Sequence, residues 1–187
     1  MKLTRRQLLE SWWVLPVAGT LGTLGYMADY AYRLTFDKRN PGPPHYLPGP
    51  DLALVPAAAL GSEYAFYEFS YRQGRVVTPC ILMRIPIATP TGLNLKGEHF
   101  AGFSRVCTHL GCHVNPVLNT KVLDLSFNYP ATHPMLGCPC HFSVFDPLQQ
   151  GKCVIGKALY PLPRVRLAAQ DGLLRATGLE PPPPGHP

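Results

Sequence analysis

Apolar and polar positions alternate in short runs over most of the chain. Only near the N-terminus does an apolar stretch continue far enough for a long helix. It runs from Trp12 to about Ala28, about 17 residues and rich in glycine, at the short limit of what spans a bilayer. Trp12, Trp13, Tyr26, Tyr30 and Tyr32 bracket it, as interfacial aromatics would. The pattern predicts one transmembrane anchor over residues 11–30. Downstream, residues 64–71, 80–85, 100–106 and 165–167 are strand-length runs rich in aromatic and branched side chains. Asp171-Gly172, between residues 165–167 and 173–177, is a two-residue hairpin signal. No segment beyond the anchor holds a helical period. An all-β head over residues 51–178 is expected.

Proline narrows these boundaries. Ten of the 22 prolines fall in two tracts, 41–50 and 181–187. Proline lacks a donor and fixes φ, so residues 38–50 can be neither helix nor central strand. Residues 31–50 read as an extended linker, semi-rigid where proline dominates, and 179–187 as a disordered tail. A length of 187 residues excludes a large multidomain oxygenase or dehydrogenase. The net charge is +6, but the 17 Lys and Arg are scattered, with no run beyond two. A nucleic-acid binder needs a basic stripe, so no nucleic-acid partner is expected.

Residues 1–10 contain Thr4-Arg5-Arg6-Gln7-Leu8-Leu9, which resembles a twin-arginine export signal. Leu8 stands where Phe is commoner, and Glu10 where Lys often sits. That route carries folded, cofactor-loaded proteins. No small-x-small cleavage site follows the apolar run, which favours an uncleaved anchor over a removed signal peptide.

The chemistry lies in two boxes, Cys107-Thr108-His109-Leu110-Gly111-Cys112 and Cys138-Pro139-Cys140-His141-Phe142-Ser143. Thiolate and imidazole are the ligands of zinc and iron–sulfur sites. A Cys-x-His turn and a Cys-x-x-His turn each offer one sulfur and one nitrogen. Two such loops facing each other can bind a two-iron rhomb asymmetrically, sulfurs on one iron and nitrogens on the other. A structural zinc is the rival, but it leaves Cys112 and Cys140 without a role.

The two boxes resemble those of Rieske [2Fe–2S] proteins, specifically the membrane-anchored, high-potential kind found in cytochrome bc complexes. The motif covers about a dozen residues and is highly specific. The resemblance implies an antiparallel β-sandwich with a small cluster-binding subdomain at about 105–163, preceded by the transmembrane helix. It implies Cys107 and Cys138 on the inner iron, His109 and His141 on the outer iron, and a Cys112–Cys140 disulfide tying the loops together. Low-potential Rieske ferredoxins of the dioxygenase type lack those two extra cysteines. Ser143 matches the family serine that donates to a cluster sulfide. Three positions depart from the family: Phe142 replaces a glycine, Phe145 a sulfur-bonding tyrosine, and residues 156–163 a Gly-Pro-rich cover loop. The stretch 115–137 is longer than in many relatives.

The function so implied is electron transfer from quinol, hydrogen-bonded to His141 with His109 as its exposed companion, to a cytochrome c-type acceptor. A cytochrome b subunit would bind the quinol, and the missing tyrosine hydroxyl suggests menaquinol. The head would lie on the extracytoplasmic side of the cell membrane, where a disulfide persists. The rival is the small Rieske subunit of an arsenite oxidase-type molybdenum enzyme, which residues 140–146 and 156–158 also resemble. Cys80 and Cys153 could pair or stay as buried thiols. His113 and His133 fit no ligand spacing and read as solvent-exposed; His45, His99 and His186 carry no signal.

Overall fold

The computed structural model describes residues 5–6 and 11–185, in two units, 1–37 and 38–187. Most of the twin-arginine-like stretch lies outside the described residues, as does His186. The first unit holds helix α1 (Val14–Thr35). Its 22 residues would reach roughly 33 Å at 1.5 Å each. Gly19, Gly22, Gly25, Thr20, Thr23 and Asp29 dilute its apolar content, and Asp29 pairs with Arg33 one turn on at 2.9 Å. Among the described residues no helix is long and apolar enough to cross a membrane. The helix expected over 11–30 is present, without the hydropathy of a span.

The second unit is the β head. Its strands are β1 (Leu47–Pro56), β2 (Phe66–Gln73), β3 (Val76–Ile85), β4 (Leu93–Leu95), β5 (Glu98–Ser104) and β6 (Asn115–Val117). Helix α2 (Thr120–Phe127) follows, then β7 (Met135–Cys138), β8 (Ser143–Asp146), β9 (Lys152–Ile155), β10 (Val165–Gln170) and β11 (Leu173–Leu179). They form three antiparallel sheets, ordered β1-β11-β10, β2-β3-β5-β4 and β6-β7-β8-β9.

The second sheet is the middle layer. On one face of β3 and β5, Leu82 and Phe100 share a buried cluster with Leu174 of β11 and Leu54 of β1. On the other face, Ile81, Met83, Ile85, Ala101 and Phe103 pack with Leu136, Cys138, Phe145 and Cys153 of the third sheet. Burial on both faces explains why residues 80–85 read as a continuous apolar run rather than an alternating one. Each such aliphatic or aromatic side chain contributes about 1.5–3 kcal/mol when fully buried. The Asp171-Gly172 turn closes β10 on β11, both residues at positive φ (53° and 79°), as the sequence predicts.

Three boundaries move. β1 begins at Leu47, inside the expected linker, because it is an edge strand where Pro48 and Pro50 cost no central ladder bond. Tyr71, fully buried, donates its hydroxyl to the Pro50 carbonyl at 2.8 Å and holds that edge down. Residues 38–46 are not free either: the Arg39 amide donates to Leu159 at 2.8 Å and Arg164 Nη2 to the Gly42 carbonyl at 3.0 Å. At the other end, Leu179 completes β11 and Glu180 pairs with the buried Arg164 at 2.6 Å.

The stretch 115–137 contains a helix where none was expected. Asn119 caps α2, its side chain accepting from the Lys121 amide at 3.0 Å, and Asn128 ends it at φ 52°. Leu123 is buried beneath it. A Cβ on Gly137 of β7 would meet Phe127 at 2.8 Å and Val117 at 2.9 Å. Glycine there lets α2 lie against the strand that carries Cys138.

Candidate metal centre

Two tight loops face each other at one end of the third sheet. The first follows β5 and is closed by a bridge between Val106 and His113, with the Cys107 amide donating to Cys112 at 2.8 Å. Gly111 takes φ 78° so that its amide reaches the Cys107 carbonyl at 2.9 Å. The second is the four-residue tip of the β7–β8 hairpin, residues 139–142, pinned by the Cys138–Ser143 pair. A disulfide joins Cys112 to Cys140 across the loops. Closing a loop of 28 residues stabilises the fold by about 3–4 kcal/mol in the chain-entropy model.

The donor set is segregated. Cys107 and Cys138 are buried, each about 1% exposed, and both are free thiols. Cys107 donates to Cys138, which holds the Cys107 thiol well above its usual range and brings Cys138 down to about 6. The imidazoles of His109 and His141 meet edge-on, their centroids 4.6 Å apart. Leu110 and Phe142, the residues that follow them, are 65% and 54% exposed. The sulfurs are thus buried and the imidazoles half-buried, beside an apolar rim. Cys112 and Cys140 crowd within 4.8 Å of Cys138 Sγ, but their disulfide withdraws them as ligands. Two thiols and two imidazoles so divided fit a two-iron cluster better than a single tetrahedral ion.

Residues 84–166 match the family model of the Rieske [2Fe-2S] domain. The chain carries a Rieske [2Fe–2S] domain. Such a domain binds one [2Fe–2S] cluster. Among curated proteins, the cytochrome bc1 complex Rieske iron-sulfur subunit of Streptomyces lividans is 34% identical over 87 residues, 46% of this chain and 44% of the relative. A putative respiratory nitrate reductase subunit Rieske from Haloferax mediterranei is 31% identical over 80 residues, 42% of this chain and 30% of that protein. The chain thus spans less than half the length of these relatives. Among solved structures, the soluble domain of Rieske protein II from Sulfolobus acidocaldarius superposes with a TM-score of 0.50 at 26% identity, over 70% of this chain and 78% of that one.

Around the cluster site of the Rieske domain, the loop 156–160 is bound to both boxes. The fully buried Ser143 accepts from the Ala158 amide at 3.0 Å, and Thr108, buried between Cys107 and His109, donates to the Tyr160 carbonyl at 2.7 Å. Sequence reading singled out neither Thr108 nor Ala158; the position of Thr108 inside the first box was the available signal. Phe142 stands at φ 54°, a strained conformation for a non-glycine residue. Its ring meets Phe127 of α2 edge-on at 6.0 Å, so the long stretch 115–137 supports the second box.

His113 is exposed. His133 is not: its Nε2 contacts Asp146 Oδ1 at 3.0 Å, and its ring stacks on Tyr64 at 6.2 Å. Asp146, nearly fully buried, also accepts from the Leu148 amide and from Gln149 Nε2, each at 2.8 Å. A buried carboxylate needs such partners, which corrects the solvent-exposed reading of His133. Cys80 and Cys153 are separate buried thiols, pushed up by burial to about 12 and about 11.

Proposed function

We propose that Cys107 and Cys138 hold one iron of the cluster and His109 and His141 the other. On this reading the chain is an electron-transfer subunit that oxidises quinol and passes the electron to a cytochrome c-type acceptor. The observation that carries it is the pair of buried thiols beside two half-buried imidazoles that meet edge-on, next to the exposed Leu110 and Phe142. When bound, the cluster supplies a one-electron acceptor whose potential, about −150 to +300 mV, its two imidazoles raise over the about −400 mV of plant-type clusters.

The chain's own residues do the rest. Cys107 and Cys138 keep the inner side dry. Leu110 and Phe142 offer the apolar surface against which a quinol ring can lie. The ring nitrogen of His141 not spent on iron accepts the hydrogen bond, and then the proton, of the quinol hydroxyl. His109 is its companion. Ser143, whose oxygen accepts from the Ala158 amide, would be free to donate its hydroxyl proton to a cluster sulfide. A cytochrome b subunit would present the quinol, with the head at the extracytoplasmic face of the cell membrane, where the Cys112–Cys140 bond is not reduced.

Phe145 bears on the quinol species. It is buried in the same cluster of side chains as Cys107 and Cys138 and donates no hydrogen bond to sulfur. Phe145→Tyr should raise the reduction potential, by on the order of 40 mV if the new bond favours the reduced state by about 1 kcal/mol. An equilibrium redox titration reads this directly. An unchanged potential would overturn the view that the missing hydroxyl lowers the potential to suit menaquinol.

A second reading, a fixed small subunit of a molybdenum enzyme of the arsenite oxidase type, is favoured by the bonding of residues 38–46 to the head. Affinity capture from detergent-solubilised native membranes separates the two. Haem b without molybdenum, with quinol-dependent reduction of the captured complex, supports the cytochrome bc reading. Molybdenum without haem b supports the other.

A further inference from the structure

The loop 156–160 presents one side to the boxes and the other to the segment that precedes β1. Lys38 Nζ donates to the carbonyls of Gly156 and Ala158, the second at 2.9 Å, and the Arg39 amide donates to the Leu159 carbonyl between them and Tyr160. Ala158, wholly buried, is thus gripped at both ends: its carbonyl by the Lys38 ammonium, its amide by Ser143 Oγ. Only one residue lies between the Lys38 cation and the Ser143 hydroxyl of the second box.

The charge is felt inside. Burial lifts the Cys153 thiol and the Lys38 ammonium pulls it back down, and Cys153 is buried in one cluster of side chains with Cys107 and Cys138. A half-buried cation is screened less than an exposed one, so its field reaches the sulfurs. An added electron makes the site more negative, and a nearby cation together with a fixed hydroxyl donor favours that state.

We propose that Lys38 is a positioning residue that links docking of the 38–46 segment on the 156–160 loop to the oxidation state of the cluster site. The proposal rests on the ligand reading given above. Coupling between two equilibria is reciprocal. If docking favours the reduced state by some factor, reduction tightens docking by the same factor, and oxidation loosens the segment that joins the head to what precedes it.

The test uses the full chain loaded with its cluster, with Lys38→Met, which keeps the apolar stem and removes the charge, and Lys38→Arg, which keeps the charge. Lys38→Met should lower the reduction equilibrium constant about threefold, ~28 mV for one electron at about 59 mV per tenfold. Amide exchange at Arg39 and Ala158 should speed up at least about tenfold. Lys38→Arg should restore most of the potential. In the wild type, exchange at Arg39 should be about threefold slower in the reduced than in the oxidised protein, by reciprocity. A loaded Lys38→Met chain with an unchanged potential, or a wild type whose Arg39 exchange ignores oxidation state, overturns the linkage. If Lys38→Met fails to load, the wild-type comparison decides alone. A wild-type chain that never shows the cluster's spectrum refutes the ligand reading, and the linkage with it.

Discussion

His141→Ala is expected to yield a folded but colourless protein, with no cluster absorption and no paramagnetic signal after reduction. The fold should survive because His141 sits at a hairpin tip held by other means. The Cys138–Ser143 pair closes the tip, and the disulfide at Cys140 ties it to the first box. The ring itself is only half-buried, so its removal should cost no more than about 1 kcal/mol. On the proposed ligation the iron would lose one of two nitrogen donors, while Cys112 and Cys140 are oxidised and His133 is engaged with Asp146. His133→Ala is the matched control. It should keep the cluster and its potential but lose about 1–3 kcal/mol of stability, because the buried Asp146 carboxylate loses a partner. Thermal unfolding and the visible spectrum of both variants check this. A normal cluster and normal turnover in His141→Ala would refute the ligand assignment.

The second large effect belongs to Gly156. Its φ is 95°, and a Cβ there would lie 2.4 Å from Ser143 Cα, 2.5 Å from the Phe142 carbonyl oxygen and 2.6 Å from the Ser143 amide. All three are backbone atoms of the second box, so no side-chain rotation relieves the clash. Gly156→Ala must push the loop away from the hairpin tip. That breaks the Ala158–Ser143 bond and draws the loop's carbonyls off Lys38 and Thr108. The expected loss is at least about 3 kcal/mol, with the cluster absent or short-lived. Gly172→Ala separates the clash from the backbone term: Gly172 also has positive φ, 79°, but open space where its Cβ would go. It should cost only the left-handed penalty, about 1–2 kcal/mol, and leave the cluster untouched. Equal losses in the two variants would show that Gly156 matters for its conformation and not for its contact.

These two residues mark what sequence reading can and cannot reach. His141 was legible because metal chemistry needs particular donors in a tight turn, so the candidate ligands appear as local patterns in two hexapeptides. Gly156 was visible only as part of an altered cover loop; nothing local says that a strand 13 residues earlier lies within a Cβ radius of it. The same limit hid the His133–Asp146 pair and the contact of Lys38 with residues 118 and 120 positions away. α2 was missed because eight residues make barely two turns, too few to show a period. β1 was missed because proline was weighed as a breaker, whereas an edge strand tolerates it.

The sequence by itself determined the two candidate ligand boxes, the β character of the head and the Asp171-Gly172 hairpin, because each depends on residues a few positions apart. It also placed a helix near the N-terminus, though not its fitness to cross a membrane. Tertiary structure alone decided which thiols stay apart, where residues 38–46 are bonded, and how closely loop 156–160 presses on the second box. Those features depend on distances between segments far apart in the chain. Burial on both faces of the middle sheet and the close approach of glycine backbones set those distances, and neither is written in any local pattern.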